Sequence, residues 1–136
     1  MTLLDVNQLS IRYPETQAPA VDDLTFSLDA GEVVGLVGES GSGKTQTALA
    51  IMGLLPTNAT LGGSILVDGA EVIGASEKSL RRIRARKVAM VFQDPGLALN
   101  PYLSIGDQLT GVMSAHGIAH GKKARDRALQ TLERVG

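Results

Sequence analysis

Cysteine is absent from the 136 residues, which excludes disulfides and thiolate metal sites. Tryptophan is absent too. Tyr13, Phe26, Phe92 and Tyr102 are the whole aromatic complement, so a core has to be built from aliphatic side chains. There is no excess of charge of either sign: the formal net charge is -1, which offers no bulk attraction to nucleic acid or to anionic lipid. No apolar run approaches the roughly 20 residues that a membrane-spanning helix needs. The start, MTLLDVNQ, has no basic n-region and does not read as a secretory signal. Internal repeats and low-complexity tracts are missing as well. What remains, 43% hydrophobic and 20% charged, is ordinary globular composition with length for one core, expected in the cytosol.

Glycine, by contrast, is plentiful, and its placement carries the information. The stretch VVGLVGESGSGKT at residues 33–45 is an apolar run followed by a loop. Beyond Thr45 the pattern turns helical, with Ala48, Leu49, Ile51, Met52, Leu54 and Leu55. Gly38, Gly43, Lys44 and Thr45 occupy the fixed positions of G-x-x-x-x-G-K-[ST], the phosphate-binding loop between a strand and a helix. A triphosphate presents dense negative charge on hydrogen-bond acceptors, and inward-turned main-chain N–H groups wrap it as an anion nest. Side chains obstruct that approach, so Gly38, Gly41 and Gly43 keep the backbone bare and allow positive φ. The helix that follows points its positive end at the phosphates. Lys44 is expected to reach the β and γ phosphates and Thr45 to hold Mg²⁺.

The rest of the chain reads as follows. Strands are expected over residues 3–13 and 20–28, joined by a loop with two prolines, then over 32–37 after the turn at Asp29, Ala30 and Gly31. The loop helix should span 43–55, end before Pro56 and, being apolar nearly all round, be buried. Residues 64–67 form a short strand, Asp68 and Gly69 turn a hairpin, and 71–73 return. A basic helix covers 77–87 with Leu80 and Ile83 inward. Residues 88–92, VAMVF, read as a strand buried on both faces of a parallel sheet. Ser104 caps a helix through Ser114, and residues 122–135 form another with Ala124, Ala128, Leu132 and Val135 on one face. The cationic faces, Arg81 to Lys87 and Lys122 to Arg127, lack interleaved aromatics and read as solvated rather than as a nucleic-acid surface.

Three further stretches narrow the many families that carry a phosphate loop. They are SIRYP at residues 10–14, GGSILVDG at 62–69 and VFQDPGLALNPYLSIGDQL at 91–109. Together with GESGSGKT, they resemble the ATP-binding subunit of an ABC transporter, and within it the oligopeptide/dipeptide importer branch of bacteria. The resemblance runs from the N-terminus to Gly136. It implies an α/β fold of the P-loop NTPase class, ABC ATPase type. That fold is an antiparallel β layer, part of a parallel-sheet core and the start of a helical subdomain, with residues 1–93 as nucleotide-binding core and 94–136 as the subdomain. By resemblance, Tyr13 stacks on adenine, while Ser40, Gly41 and Ser42 join Gly38, Gly43, Lys44 and Thr45 around the phosphates of ATP. Gln93 approaches Mg²⁺ and the attacking water as a catalytic residue and links the core to the helical subdomain. Residues 94–110 face the transmembrane permease subunits. A second ATPase subunit, homologous or identical, completes the pair. An extracytoplasmic solute-binding protein is an indirect partner, and the site of action is the cytoplasmic face of the inner membrane, peripherally.

Hydrolysis in that family also uses a strand ending in Asp-Glu, an LSGGQ-type signature and a switch histidine, and none is found in these residues. Asp68 follows a strand but is followed by Gly69, a hairpin. His116 and His120 read as solvent-side residues. The expectation is therefore an N-terminal portion of an ABC ATPase, inactive in hydrolysis by itself. A nucleotide-binding module without hydrolysis, or an importer of another small solute such as nickel or glutathione, are the alternatives. A GTPase or small-molecule kinase is disfavoured because no N-K-x-D run appears. Apolar strands at 32–37 and 88–92 without their neighbours leave open edges. The isolated chain is thus predicted to be marginal or aggregation-prone. A monomer that melts in one two-state transition with an ordinary m-value overturns this.

Overall fold

The backbone of residues 1–136 is described by a computed structural model, together with all side chains except those of Ala85, Pro95 and Leu97. The chain divides into two units, Met1–Met90 and Val91–Gly136. In the first, strand β1 (Thr2–Arg12) is central: β2 (Val21–Asp29) lies on one side and β3 (Thr60–Val67) on the other. With the short β4 (Ala70–Glu71), they form an antiparallel sheet in the order β2-β1-β3-β4.

The apolar points of β1 are Val6, Leu9 and Ile11, and all three are fully buried. A regular strand alternates faces, so residues three apart cannot both point inward. The register shifts between Val6 and Leu9 against β2, and between Asn7 and Ser10 against β3. At that bulge Gln8 takes φ 50, and its N–H is bonded to Thr25 Oγ1 at 2.9 Å. The extra residue returns Leu9 to the core side.

Helix α1 (Lys44–Ile51) lies against this core through Ala50, which shares one cluster with Val6, Leu9, Ile11, Val21, Ile65, Val67, Val72 and Ile83. It is shorter than the expected span of 43–55. Gly53, at φ 60, ends it in a left-handed cap, with Gly53 N bonded to Ala50 O and Leu54 N to Leu49 O, both at 2.9 Å. Its burial is one-sided: Thr47 and Ala50 are buried, whereas Ala48, Leu49 and Ile51 are half-buried, because the sheet covers one face.

Helix α2 (Glu77–Arg86) is capped by Ser76, whose hydroxyl accepts from Ser79 N. Arg84 reaches from it to the end of α1, giving Nε to Met52 O at 2.8 Å and Nη2 to Gly53 O at 2.9 Å. These are carbonyls that a helix end leaves without partners. Glu77 accepts from both Arg84 and Arg81, and these hydrogen bonds hold its carboxyl below the usual range.

Two expected strands are not formed. Residues 32–37 and 88–92 pair with no strand among the described residues, and Val33, Val37 and Val91 stand 96%, 94% and 89% exposed. A buried parallel strand needs hydrogen-bonded parallel neighbours, and the strands among the described residues form only an antiparallel sheet that neither run joins. The return strand after Asp68 and Gly69 is Ala70–Glu71 rather than 71–73, and it follows the expected hairpin turn at φ 47 and 73.

In the second unit, a 3-10 helix (Pro95–Ala98) precedes α3 (Ile105–Ala115) and α4 (Gly121–Val135). Ser104 caps α3 as expected, accepting from Asp107 N at 3.0 Å. Gln108 Nε2 ties the preceding loop by donating to Asn100 O and Leu103 O, both at 3.1 Å. Ala124 and Ala128 of α4 are buried, whereas Val135 is 79% exposed, at the end of a helix longer than the one it packs on.

Glu71 fastens the hairpin. Its Oε1 accepts from the N–H groups of Ile65, Val72 and Ile73 at 2.9–3.0 Å, and its Oε2 from the Ser64 hydroxyl. Burial alone pushes the carboxyl up, but the hydrogen bonds from Ser64 and the three amides outweigh it and hold the pKa below the ordinary 4.5. A depressed carboxylate adds stability above its unfolded pKa and loses it as pH falls through the folded value. Urea midpoints of the unaltered chain are therefore expected to drop more steeply below about pH 4.5 than those of Glu71→Gln. Parallel curves contradict this.

Candidate functional site

The loop ahead of α1 is built on glycines, each kept bare for its own reason. Gly41 and Gly43 stand at φ 82 and 87, in the left-handed region. At Gly43 a side chain would also collide with the Ala20 carbonyl, and would come to 2.8 Å from Val21 Cγ2. At Gly38 it would meet Ser42 Oγ at 2.5 Å. The loop is thus pressed against the start of β2, and its backbone is bare there because nothing larger fits.

Lys44 lies across this loop. Its ammonium donates to Gly38 O at 2.7 Å, Glu39 O at 2.6 Å and Ser42 Oγ at 3.2 Å. Neutral oxygens satisfy the cation only in part, so an anionic oxygen is a stronger partner for it. The start of α1 carries no acidic residue and no side-chain cap, which leaves its first amides available to an anion. Thr45 is exposed on that first turn. Thr47, one turn on, is buried and returns its hydroxyl to Gly43 O at 3.0 Å, locking the loop to the helix.

Tyr13, the residue after β1, is brought to the same place: its hydroxyl donates to Gln46 Oε1 at 2.6 Å. A groove of about 340 Å³ runs between Tyr13 and Ala20 on one side and residues 41–46 on the other. Of the residues singled out from the sequence, Tyr13, Gly38, Ser40, Gly41, Ser42, Gly43, Lys44 and Thr45 all belong to the first unit. Gln93 belongs to the second, where it is exposed. The expected permease-facing run 94–110 is also in the second unit, with the side chains of Pro95 and Leu97 outside those described.

Asp68 sits in the hairpin turn, paired with Lys87 at 2.8 Å. His116 ends α3 and His120 precedes α4, both exposed. Sequence reasoning passed over Gln46 and the Ala20 carbonyl. A polar residue directly after Thr45, at the head of an apolar helix, was the available signal for the first. Nothing local marks the second.

A family model described as ABC transporter matches residues 21–136. The oligopeptide transport ATP-binding protein OppD of Salmonella typhimurium is 44% identical over 98% of this chain and 40% of its own length. The oligopeptide transport ATP-binding protein AppD of Bacillus subtilis is 42% identical over 99% of this chain and 42% of its own. The chain thus spans about two fifths of the length of these curated relatives. Among solved structures, the dimeric post-hydrolysis state of the ATP-binding cassette MJ0796, bound to ADP and Pi, superposes with a TM-score of 0.79. It is 25% identical and covers 96% of this chain and 56% of that one.

The contrast between two glycines is testable. Gly41→Ala and Gly43→Ala both force a side chain into the left-handed region, at roughly 1–2 kcal/mol each. Gly43→Ala additionally drives the loop off the Ala20 carbonyl. Denaturant melts should show Gly43→Ala as clearly the more destabilised variant; equal midpoints contradict the packing assigned to Gly43.

Proposed function

The chain belongs to the ABC transporter family, and on that premise we propose that it binds Mg²⁺-ATP at residues 38–45 as part of the energy-coupling ATPase subunit of a bacterial peptide importer. The observation that carries the reading is the bare loop with Lys44 held across it, 2.6–2.7 Å from the carbonyls of Gly38 and Glu39. Ser40, Gly41, Ser42 and Gly43 offer main-chain N–H groups to the phosphates. Lys44 moves from neutral carbonyls to the β and γ phosphate oxygens, neutralising charge there. The Thr45 hydroxyl is a protein ligand to Mg²⁺, and Gln93 is the other residue that approaches the ion. Among the described residues no three His, Cys, Asp or Glu side chains cluster round a metal. Tyr13 stacks on adenine, a contact worth about 1–3 kcal/mol where bases stack on aromatic rings in single-strand binders.

In this reading residues 1–93 form the nucleotide-binding core and 94–136 the start of the helical subdomain. Gln93 orients water at the metal, and the segment 94–110 receives the permease. A second ATPase subunit completes the site, a solute-binding protein delivers cargo outside, and the subunit works at the cytoplasmic face of the inner membrane. Relatives named as peptide transport proteins support the cargo class. The 136 residues hold no strand ending in Asp-Glu and no LSGGQ-type run, so by themselves they bind nucleotide without turning it over.

Three measurements test this. Calorimetry with Mg²⁺-ATP should show binding that falls at least about tenfold in Lys44→Ala, the loss expected when a charge-assisted contact of about 1.5–3 kcal/mol is removed. Phosphate release by the chain should stay at background. Nucleotide binding or turnover that survives Lys44→Ala overturns the assignment of the loop. For coupling, a cross-linker at Asn100 should label permease subunits; labels confined to other proteins refute it.

A further inference from the structure

Gln46 sits on the first turn of α1, two residues after Lys44, and lines the same groove as Tyr13. The backbone of Tyr13 is fixed by the turn that follows β1, with Thr16 N bonded to Tyr13 O at 3.2 Å and Ala20 N to Ile11 O at 2.8 Å. Its ring, half-buried against the core cluster, still has two side-chain torsions to settle. The bond from the Tyr13 hydroxyl to Gln46 Oε1, at 2.6 Å across 33 residues of sequence, settles them. It is the one side-chain hydrogen bond, among the described residues, that joins the end of β1 to the phosphate-loop helix.

We propose that Gln46 is a positioning residue for the base of the nucleotide. Its amide oxygen holds the Tyr13 phenol in the orientation that stacks on adenine, so that recognition of the base depends on Gln46 while the grip on the phosphates does not. The inference rests on the nucleotide reading of the loop. Three features support it. The bond uses the hydroxyl in the ring plane, so it does not itself occupy a ring face. A ring held before the ligand arrives loses less freedom on binding. And Lys44 draws its own contacts from Gly38, Glu39 and Ser42 without using Gln46, so the two halves of the groove are held by separate bonds.

The experiment separates base from phosphate. Binding of Mg²⁺-ATP and of inorganic tripolyphosphate with Mg²⁺ is measured by calorimetry for the unaltered chain, Gln46→Ala, Gln46→Met, Tyr13→Phe, the double variant Tyr13→Phe with Gln46→Ala, and Lys44→Ala. Gln46→Met keeps the length and helix preference of glutamine but removes the acceptor, and so guards against a packing defect in Gln46→Ala. Either Gln46 variant is expected to weaken ATP by roughly fivefold, the loss of one hydrogen bond, and to leave tripolyphosphate within about twofold. Tyr13→Phe should match them, and the double variant should be no weaker than either single one, since all remove the same contact.

Unchanged ATP binding in both Gln46 variants, or an equal loss for tripolyphosphate, overturns the positioning role. So does additivity in the double variant. If the unaltered chain binds tripolyphosphate through Lys44 and the Gln46 variants keep full ATP affinity, this inference alone fails. If neither ligand binds and Lys44→Ala changes nothing, the nucleotide reading itself fails and takes this one with it.

Discussion

The contact between Gly43 and the carbonyl of Ala20 is the constraint from which the first unit is organised. A main chain in the left-handed region packs directly on the main chain entering β2, at a distance that admits no side chain. That contact sets where α1 begins. Thr47 repeats the attachment one turn later by bonding Gly43 O with both its N–H and its hydroxyl. The loop between residues 38 and 43 is therefore anchored at its C-terminal end to the sheet and to the helix at once. Lys44 closes it from inside by holding the carbonyls of Gly38 and Glu39.

The far end of α1 is held with equal care and by different chemistry. Gly53 ends the helix in a left-handed cap, and Arg84 brings a guanidinium to the Met52 and Gly53 carbonyls. A cation at this end complements the helix dipole in the same direction that favours an anion at the other. Glu77 holds Arg84 in turn, so α2 orients α1 through one arrangement of Glu77, Arg84, Met52 and Gly53. Beneath them the bulge at Gln8 lets Val6, Leu9 and Ile11 all face inward, and Ala50 of α1 joins them in one cluster. Fixed at both ends and packed along one face, α1 is a rigid mount for the loop.

Other apolar surface is left uncovered. Val33, Val37 and Val91 are nearly fully exposed, and the groups that would pair with their main chain are absent from the described residues. Burying each such side chain is worth about 1.5–3 kcal/mol, a large amount set against the total stability of a small domain. The relatives matched over about two fifths of their length carry further residues that this chain does not span. Among the described residues of the second unit, α3 and α4 fully bury only Ala124 and Ala128, and most of the large apolar side chains stay in contact with solvent.

The sequence by itself determined what depends on neighbours along the chain. The loop was legible because bare backbone favours glycine, and Gly38, Gly41 and Gly43 sit at the required spacing beside Lys44 and Thr45, with Gly41 and Gly43 at positive φ and Gly38 outside that region. The cap at Ser104 and the hairpin at Asp68 and Gly69 were legible from their neighbours in the same way, whereas the Ser76 cap of α2 was not read from the sequence. Tertiary structure alone decided the rest. An apolar run at 32–37 or 88–92 carries the composition of a buried strand, but a strand exists only when a partner supplies its hydrogen bonds, and composition does not say whether one is there. The early end of α1 was decided by Gly53 together with Arg84, thirty-odd residues away, and the Tyr13 hydroxyl found Gln46 across a similar gap. Such pairs are fixed by how the sheet and helix pack in space, and linear spacing holds no record of that distance.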